Sequence, residues 1–256
     1  MLRGSKSGVR RALAALLALL VAAVYADETH WRDLESRIQY GYYTEDVRAL
    51  HALADSLASE ESQEALRGYY AAFAAFRLAL LAARSPPLER ATPAAELAQR
   101  CVRALDGLIE AQPGFADALA LRAACQQPPV AGGGLHLPFL GHSALKDRER
   151  ARALAPRNPR VLLVDAAADY ELPAQQGGNR ERALVRLREA VSAFEAERAG
   201  TAPLPGWGAA EAYLLLARDL LDHGDALGAR DALERALLIA PDYAEARRLM
   251  TRVGAG

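Results

Sequence analysis

The sequence predicts an all-α fold of stacked antiparallel helix pairs, and three observations predict it. Apolar residues recur at helical spacing, strand patterning is weak throughout, and a helix-pair unit recurs along the chain. Ala, Leu, Arg and Glu, all good helix formers, dominate the composition. Runs of Val, Ile and Thr with two-residue alternation are missing.

The first residues stand apart from this pattern. Arg3, Lys6, Arg10 and Arg11 form a basic start, Ala12 to Val24 is unbroken apolar sequence, and Val24-Tyr25-Ala26 leads into polar Asp27-Glu28-Thr29-His30. That is the layout of a secretory signal peptide, so cleavage is expected after Ala26 and the periplasm is the expected destination. The alternative is an uncleaved anchor. The apolar run would make a helix about 20 Å long, short of a hydrocarbon core of roughly 30 Å. No later stretch approaches spanning length, and the mature chain is predicted to be soluble.

Residues 27–256 are expected to form one helical repeat domain. Without the leader's four basic residues, 27 Lys+Arg face 32 Asp+Glu, a formal charge of −5. That balance gives a nucleic-acid partner no electrostatic footprint. Lys146 is the only lysine after the leader, which reads with the abundant Ala as coding bias.

Val47, Leu50, Leu53 (or Ala54) and Leu57 make one apolar stripe, with Thr44 as expected N-cap ahead of Glu45 and Asp46. A second helix is predicted over about 60–84, carrying Leu66, Tyr69, Tyr70, Phe73, Phe76 and Leu80. Ser85-Pro86-Pro87 stops it. Tyr40, Tyr42 and Tyr43 are expected to pack between these first two helices. Thr92-Pro93 is read as N-cap and N1 of a third helix. It places Leu97, Cys101, Leu105 and Leu108 on one side and ends near Pro113.

At an offset of 46, Ala183, Leu187 and Ala190 fall on Ala229, Leu233 and Ala236, three residues on one helix face. A junction also recurs. Ala111-Gln112-Pro113-Gly114-Phe115-Ala116-Asp117-Ala118 matches Ile239-Ala240-Pro241-Asp242-Tyr243-Ala244-Glu245-Ala246, with a weaker copy at Leu154-Ala155-Pro156-Arg157-Asn158. Each marks one helix ending and the next beginning.

With these residues in view the chain resembles tetratricopeptide repeat (TPR) proteins of an exported bacterial type. Tyr213, Leu216, Ala217 and Leu220 stand at the first-helix positions W-x-x-L-G-x-x-Y, and Ala229, Leu233 and Pro241 at the second-helix positions A-x-x-x-F…P. The best unit, 210–243, has the 34-residue TPR length. It departs from consensus with Tyr for Trp, Ala for Gly, and Leu for Tyr and Phe, keeping the small-versus-large pattern. Segment 160–195 reads as a stretched copy, with 172–178 inserted between its helices. Segment 94–126 reads as a second helix followed by the next first helix. The resemblance implies a TPR-like α-solenoid whose stacked first helices form an inner groove for a peptide. On this sequence the implied face is Glu211, Leu214, Arg218 and Asp222. Trp207 is read either as an exposed aromatic at the groove mouth or as a staple on the next helix.

Cys101 and Cys125 lie twelve residues either side of Pro113. If Pro113 turns between antiparallel helices, the two side chains meet, and an oxidising compartment would join them. The alternative is a pair of buried thiols.

Chemistry-bearing motifs are incomplete. The five histidines show no metal-ligand spacing, and His136 and His142, the nearest pair, lack a carboxylate or thiolate close by. Gly141-His142-Ser143-Ala144 begins like a nucleophile elbow but has Leu145 for the second glycine and no preceding strand. Ala131-Gly132-Gly133-Gly134 lacks the Lys-Ser/Thr of a phosphate loop. Segment 127–143 reads as an unusually apolar loop, packed on the stack or serving as a lid. No catalytic residue, cofactor or metal is therefore predicted. The expected function is that of a non-catalytic exported scaffold or adaptor for a protein or peptide. The alternative is a helical small-molecule carrier or an accessory subunit of a solute transporter.

Overall fold

The computed structural model describes residues 28–59, 65–84, 92–127, 137–198 and 204–254. Among them every regular element is helical. After α1 (residues 28–43) come α2 (Val47–Ser59), α3 (Ala65–Arg84), α4 (Ala94–Ala111), α5 (Ala116–Cys125) and α6 (Leu137–Leu154). α7 (Pro159–Glu171), α8 (Arg180–Arg198), α9 (Ala209–Asp222), α10 (Ala226–Ile239) and α11 (Ala244–Gly254) complete the order. α3 packs on α4, α5 on α6, α7 on α8 and α9 on α10, while α5 also meets α7 and α7 meets α9. This is a TPR-like α-solenoid. A hairpin cannot bury both of its apolar faces alone, so each pair leans on the next.

The repeat positions explain the close packing. Ala183, Leu187 and Ala190 in α8, and Ala229, Leu233 and Ala236 in α10, are all fully buried. Small residues let the helices approach and leucine fills the space between them. α4 pairs back onto α3 and α5 pairs forward onto α6. The inserted stretch after α7 holds a short 3₁₀ turn, Ala174–Gln176. Cys101 and Cys125 are joined by a disulfide with Cα atoms 6.3 Å apart. It ties α4 to α5 and thus one helix pair to the next.

Several local expectations are corrected. Asp46, not Thr44, caps α2: its Oδ1 accepts from the Ala49 N–H at 2.9 Å, while the Thr44 hydroxyl donates back to the Tyr40 carbonyl at 2.8 Å. The stripe of α2 buries Leu50, Leu53 and Leu57 but leaves Val47 exposed. α4 starts one residue late, with Pro93 rather than Thr92 at the cap. Gly141, His142 and Ser143 lie in α6, not in a loop. Tyr40 faces solvent, and Tyr42 and Tyr43 pack against Tyr243 near the other end of the chain, at ring distances of 5.9 and 4.5 Å. The leader 1–26, Ser85-Pro86-Pro87 and Gly132-Gly133-Gly134 lie outside the described residues.

That last contact shows how the stack curls. Along α1, Trp31 stacks on Tyr70 of α3, Glu35 accepts from the Tyr70 hydroxyl at 2.8 Å, and Gln39 accepts from Arg77 at 2.7 Å. The other side of α1 reaches the C-terminal units. Glu35 accepts from the Gly206 N–H at 3.0 Å, and the Tyr43 hydroxyl donates to Glu211 of α9 at 3.0 Å. Glu45, just beyond α1, pairs with Arg248 of α11. The first helix therefore meets the last pair, and α1, α3, α7 and α9 surround a common interior.

Candidate functional site

The interior of this curl holds a cavity of about 120 Å³. Phe76 and Leu80 of α3, Leu163 and Val164 of α7, and Leu214 and Leu215 of α9 supply its apolar wall. These residues converge because each lies on the inward stripe of a first helix, so successive hairpins point equivalent positions at the same axis. Tyr42, Tyr243 and Trp207 complete the lining.

Trp207 is buried at 3% exposure. It is neither an exposed aromatic nor a staple confined to its own helix. Its ring stacks on Phe73 with centroids 5.0 Å apart, and Nε1 donates to the Tyr69 hydroxyl at 2.8 Å. Gly208, at φ +115°, makes this entry to α9 feasible. A Cβ there would stand 2.6 Å from the Phe194 ring, so an L side chain would be both strained and obstructed.

The charged groups are arranged in pairs. Arg77 is fully buried, with its guanidinium over the rings of Tyr42 (4.2 Å), Phe73 (4.7 Å) and Trp207 (5.4 Å), and pairs with Glu211. Arg84 and Arg218 both pair with Glu245. Arg84 also donates to the Tyr42 hydroxyl at 2.7 Å. Burial opposes ionisation of Tyr42, yet the Arg84 and Arg77 charges outweigh it and hold this hydroxyl below the ordinary tyrosine value. Burial pushes Tyr43 and Tyr243 above that value. It raises the Glu35 carboxyl as well, despite the bonds from Gly206 and Tyr70.

Of the residues the sequence singled out, Trp207, Glu211, Leu214 and Arg218 all line this one cavity. Asp222 does not. It sits near the exposed end of α9, accepting from Tyr170 at 2.9 Å and Arg180 at 2.8 Å. Sequence reasoning missed Arg77, Arg84 and Tyr243. Arg77 is the most telling omission, because a charged residue in the otherwise apolar stretch Ala71–Leu81 calls for a buried partner. Among the described residues no group of three His, Cys, Asp or Glu side chains could hold a metal ion. His136 lies outside the described residues. Ser143 sits within α6, without the strand-to-helix turn an elbow needs. No helix of the described residues is long and apolar enough to cross a membrane.

No family profile matches the sequence, and no curated protein matches it. Solved structures do resemble it. The crystal structure of TTC0263, a thermophilic TPR protein in Thermus thermophilus, aligns with a TM-score of 0.57 at 16% identity, covering 88% of this chain and 100% of that one. The HusA haemophore from Porphyromonas gingivalis aligns with a TM-score of 0.56 at 19% identity, covering 77% of this chain and 93% of that one. At these identities the likeness is one of fold.

Proposed function

We propose that this chain is an exported, non-catalytic scaffold that holds a segment of a partner protein at the interior cavity. The observation that carries the reading is the convergence of four first helices on an apolar pocket rimmed by Arg84, Arg218 and Glu171. Size decides what such a pocket takes. Sites for cofactors and drug-sized ligands span roughly 300–1,000 Å³, whereas a cavity of about 150 Å³ accepts a single benzene. At about 120 Å³ the space suits one inserted apolar side chain, with Arg84, Arg218 and Glu171 lining the same cavity beside it. The same figure weighs against a haem-sized cargo here, although a haemophore shares the fold. Export to the periplasm rests on the leader pattern of residues 1–26 and agrees with the Cys101–Cys125 disulfide, a bond that persists in oxidising compartments.

Native mass spectrometry of the protein isolated gently from its own compartment separates the readings. A scaffold should appear with a polypeptide adduct that Leu214→Arg, which fills the cavity with charge, abolishes. A small-molecule carrier should instead retain a non-peptide mass, and that result would overturn the proposal.

A further inference from the structure

One side of α10 is spent on the fold. Ala229, Ala232, Leu233 and Ala236 are buried, and the helix packs on α9. The opposite side faces out. Leu227 and Leu238 stand on it at 84% and 81% exposure, the most exposed large apolar residues among those described. They are eleven residues apart, which at 100° per residue leaves them within about 20° of each other and roughly 17 Å apart along the axis. Arg230, Asp231, Glu234 and Arg235 lie between them, all exposed. Within the helix Arg230 pairs with Glu234 at 3.0 Å and Arg235 stands 3.8 Å from Asp231. Arg235 is also 3.9 Å from Glu195 of α8.

Lone exposed leucines are ordinary on a soluble surface. The order of residues on this face is not. Reading outward from the midpoint between Ala232 and Leu233, each direction meets an acid, then an arginine, then a leucine. Asp231 mirrors Glu234, Arg230 mirrors Arg235, and Leu227 mirrors Leu238. A face with that symmetry complements itself when an identical helix crosses it antiparallel, about a two-fold axis through the midpoint. We propose that the outer face of α10 is a docking surface for a second copy of this chain, packed α10 against α10 in antiparallel orientation.

The two-fold places Leu227 on the partner's Leu238 at both ends of the contact. On one flank Arg230 comes level with the partner's Glu234, and on the other Asp231 comes level with the partner's Arg235. Each such pair is offset by about 1.5 Å along the axis. Every charge on the face therefore meets its opposite, and the two helix dipoles run head to tail. The contact is about three turns long, which puts it at the low end of interface sizes, below about 1,200 Å². The dimer accordingly exchanges with monomer. No residue of α10 lines the interior cavity, so this inference stands apart from the scaffold reading. A crosslink from Leu238 joins two copies of this chain, and its mass distinguishes it from an adduct formed at the cavity.

Sedimentation equilibrium of the purified protein reads the association. The average mass should climb from monomer towards dimer between about 10 and 500 µM. Leu238→Arg should weaken the dimer tenfold or more, with the melting temperature of the dilute protein unchanged because the residue is exposed. Charge reversal tests the complementarity. A copy carrying Arg230→Glu and Arg235→Glu, and a copy carrying Asp231→Arg and Glu234→Arg, should each stay monomeric alone and associate when mixed. Cysteines test the orientation, since Cys101 and Cys125 are already joined to each other. Oxidation should link Leu227→Cys to Leu238→Cys in a mixture, while Leu227→Cys alone stays unlinked, its two sulfurs being roughly 17 Å apart. A monomer at every concentration, undiminished association in Leu238→Arg, charge-reversed copies that fail to associate when mixed, or self-linking of Leu227→Cys as ready as the mixed link would each overturn the proposal.

Discussion

Reducing the Cys101–Cys125 disulfide should destabilise the protein by an amount that follows from its place in the chain. The bond closes a loop with a sequence separation of 24. Loop-closure entropy for that length gives about 3.5 kcal/mol at 25 °C, an upper value because residual structure in the unfolded chain reduces it. Both cysteines are buried, at 0% and 1% exposure, so reduction leaves two apolar thiols in place and opens little cavity. The loss should therefore come almost wholly from the unfolded state, with native helicity unchanged. Urea unfolding followed by circular dichroism, with and without reductant, measures it. With a denaturant slope of about 2–3 kcal/mol/M, the midpoint should fall by at most about 1.2–1.8 M. Superimposable curves, or two thiols that alkylate in the untreated folded protein, would refute the reasoning.

Trp207→Ala removes a buried ring that stacks on Phe73 and leaves the Tyr69 hydroxyl without its donor. Thermal or urea unfolding should show a loss of about 3–5 kcal/mol. Asp219→Asn should stabilise the protein at neutral pH. Asp219 is fully buried in α9, both its carboxylate oxygens lack hydrogen bonds, and burial raises its pKa above the ordinary 3.8. A raised carboxyl makes the folded state bind the proton more tightly. Its penalty is thus complete above the folded-state value, shrinks as pH falls through it, and is gone below 3.8. The variant should gain about 1–2 kcal/mol at pH 7 and nothing at the acid end, as read by urea midpoints across pH. Gly208→Ala should cost more than 1 kcal/mol, because the new Cβ meets the Phe194 ring at a positive φ. A melting temperature equal to the wild type's would contradict that account.

The helix pairs were legible because their signature is local. The spacing of Ala229, Leu233 and Ala236, and the recurrence around Pro113 and Pro241, encode a close helix approach and a turn within a few residues. The cysteine pairing was legible as one of two alternatives for the same reason, with Pro113 as the fold-back point. Closure of the curl was not legible. It depends on contacts such as Tyr43 with Glu211 and Glu45 with Arg248, made between residues far apart in sequence, and no spacing rule reaches that far. The inward face of α9 was read from the resemblance, which placed Glu211, Leu214 and Arg218 on it. It could not show that Asp222, one turn further, would meet Arg180 and Tyr170 instead. The start of α6 was hidden by its composition, since Gly141 is a poor helix former and Pro138 fits a helix only in the first turn, where its missing N–H costs no ladder bond.

Site-specific photo-crosslinking in the native compartment tests the interior cavity as the partner's seat most directly. Probes go at Ala167 and Arg218, which line the cavity, and at Leu238, which is 81% exposed on α10. A discrete polypeptide adduct from both cavity positions, absent at Leu238 and lost on Leu214→Arg, is the predicted result. Adducts from Leu238 with none from Ala167 or Arg218 would contradict the account.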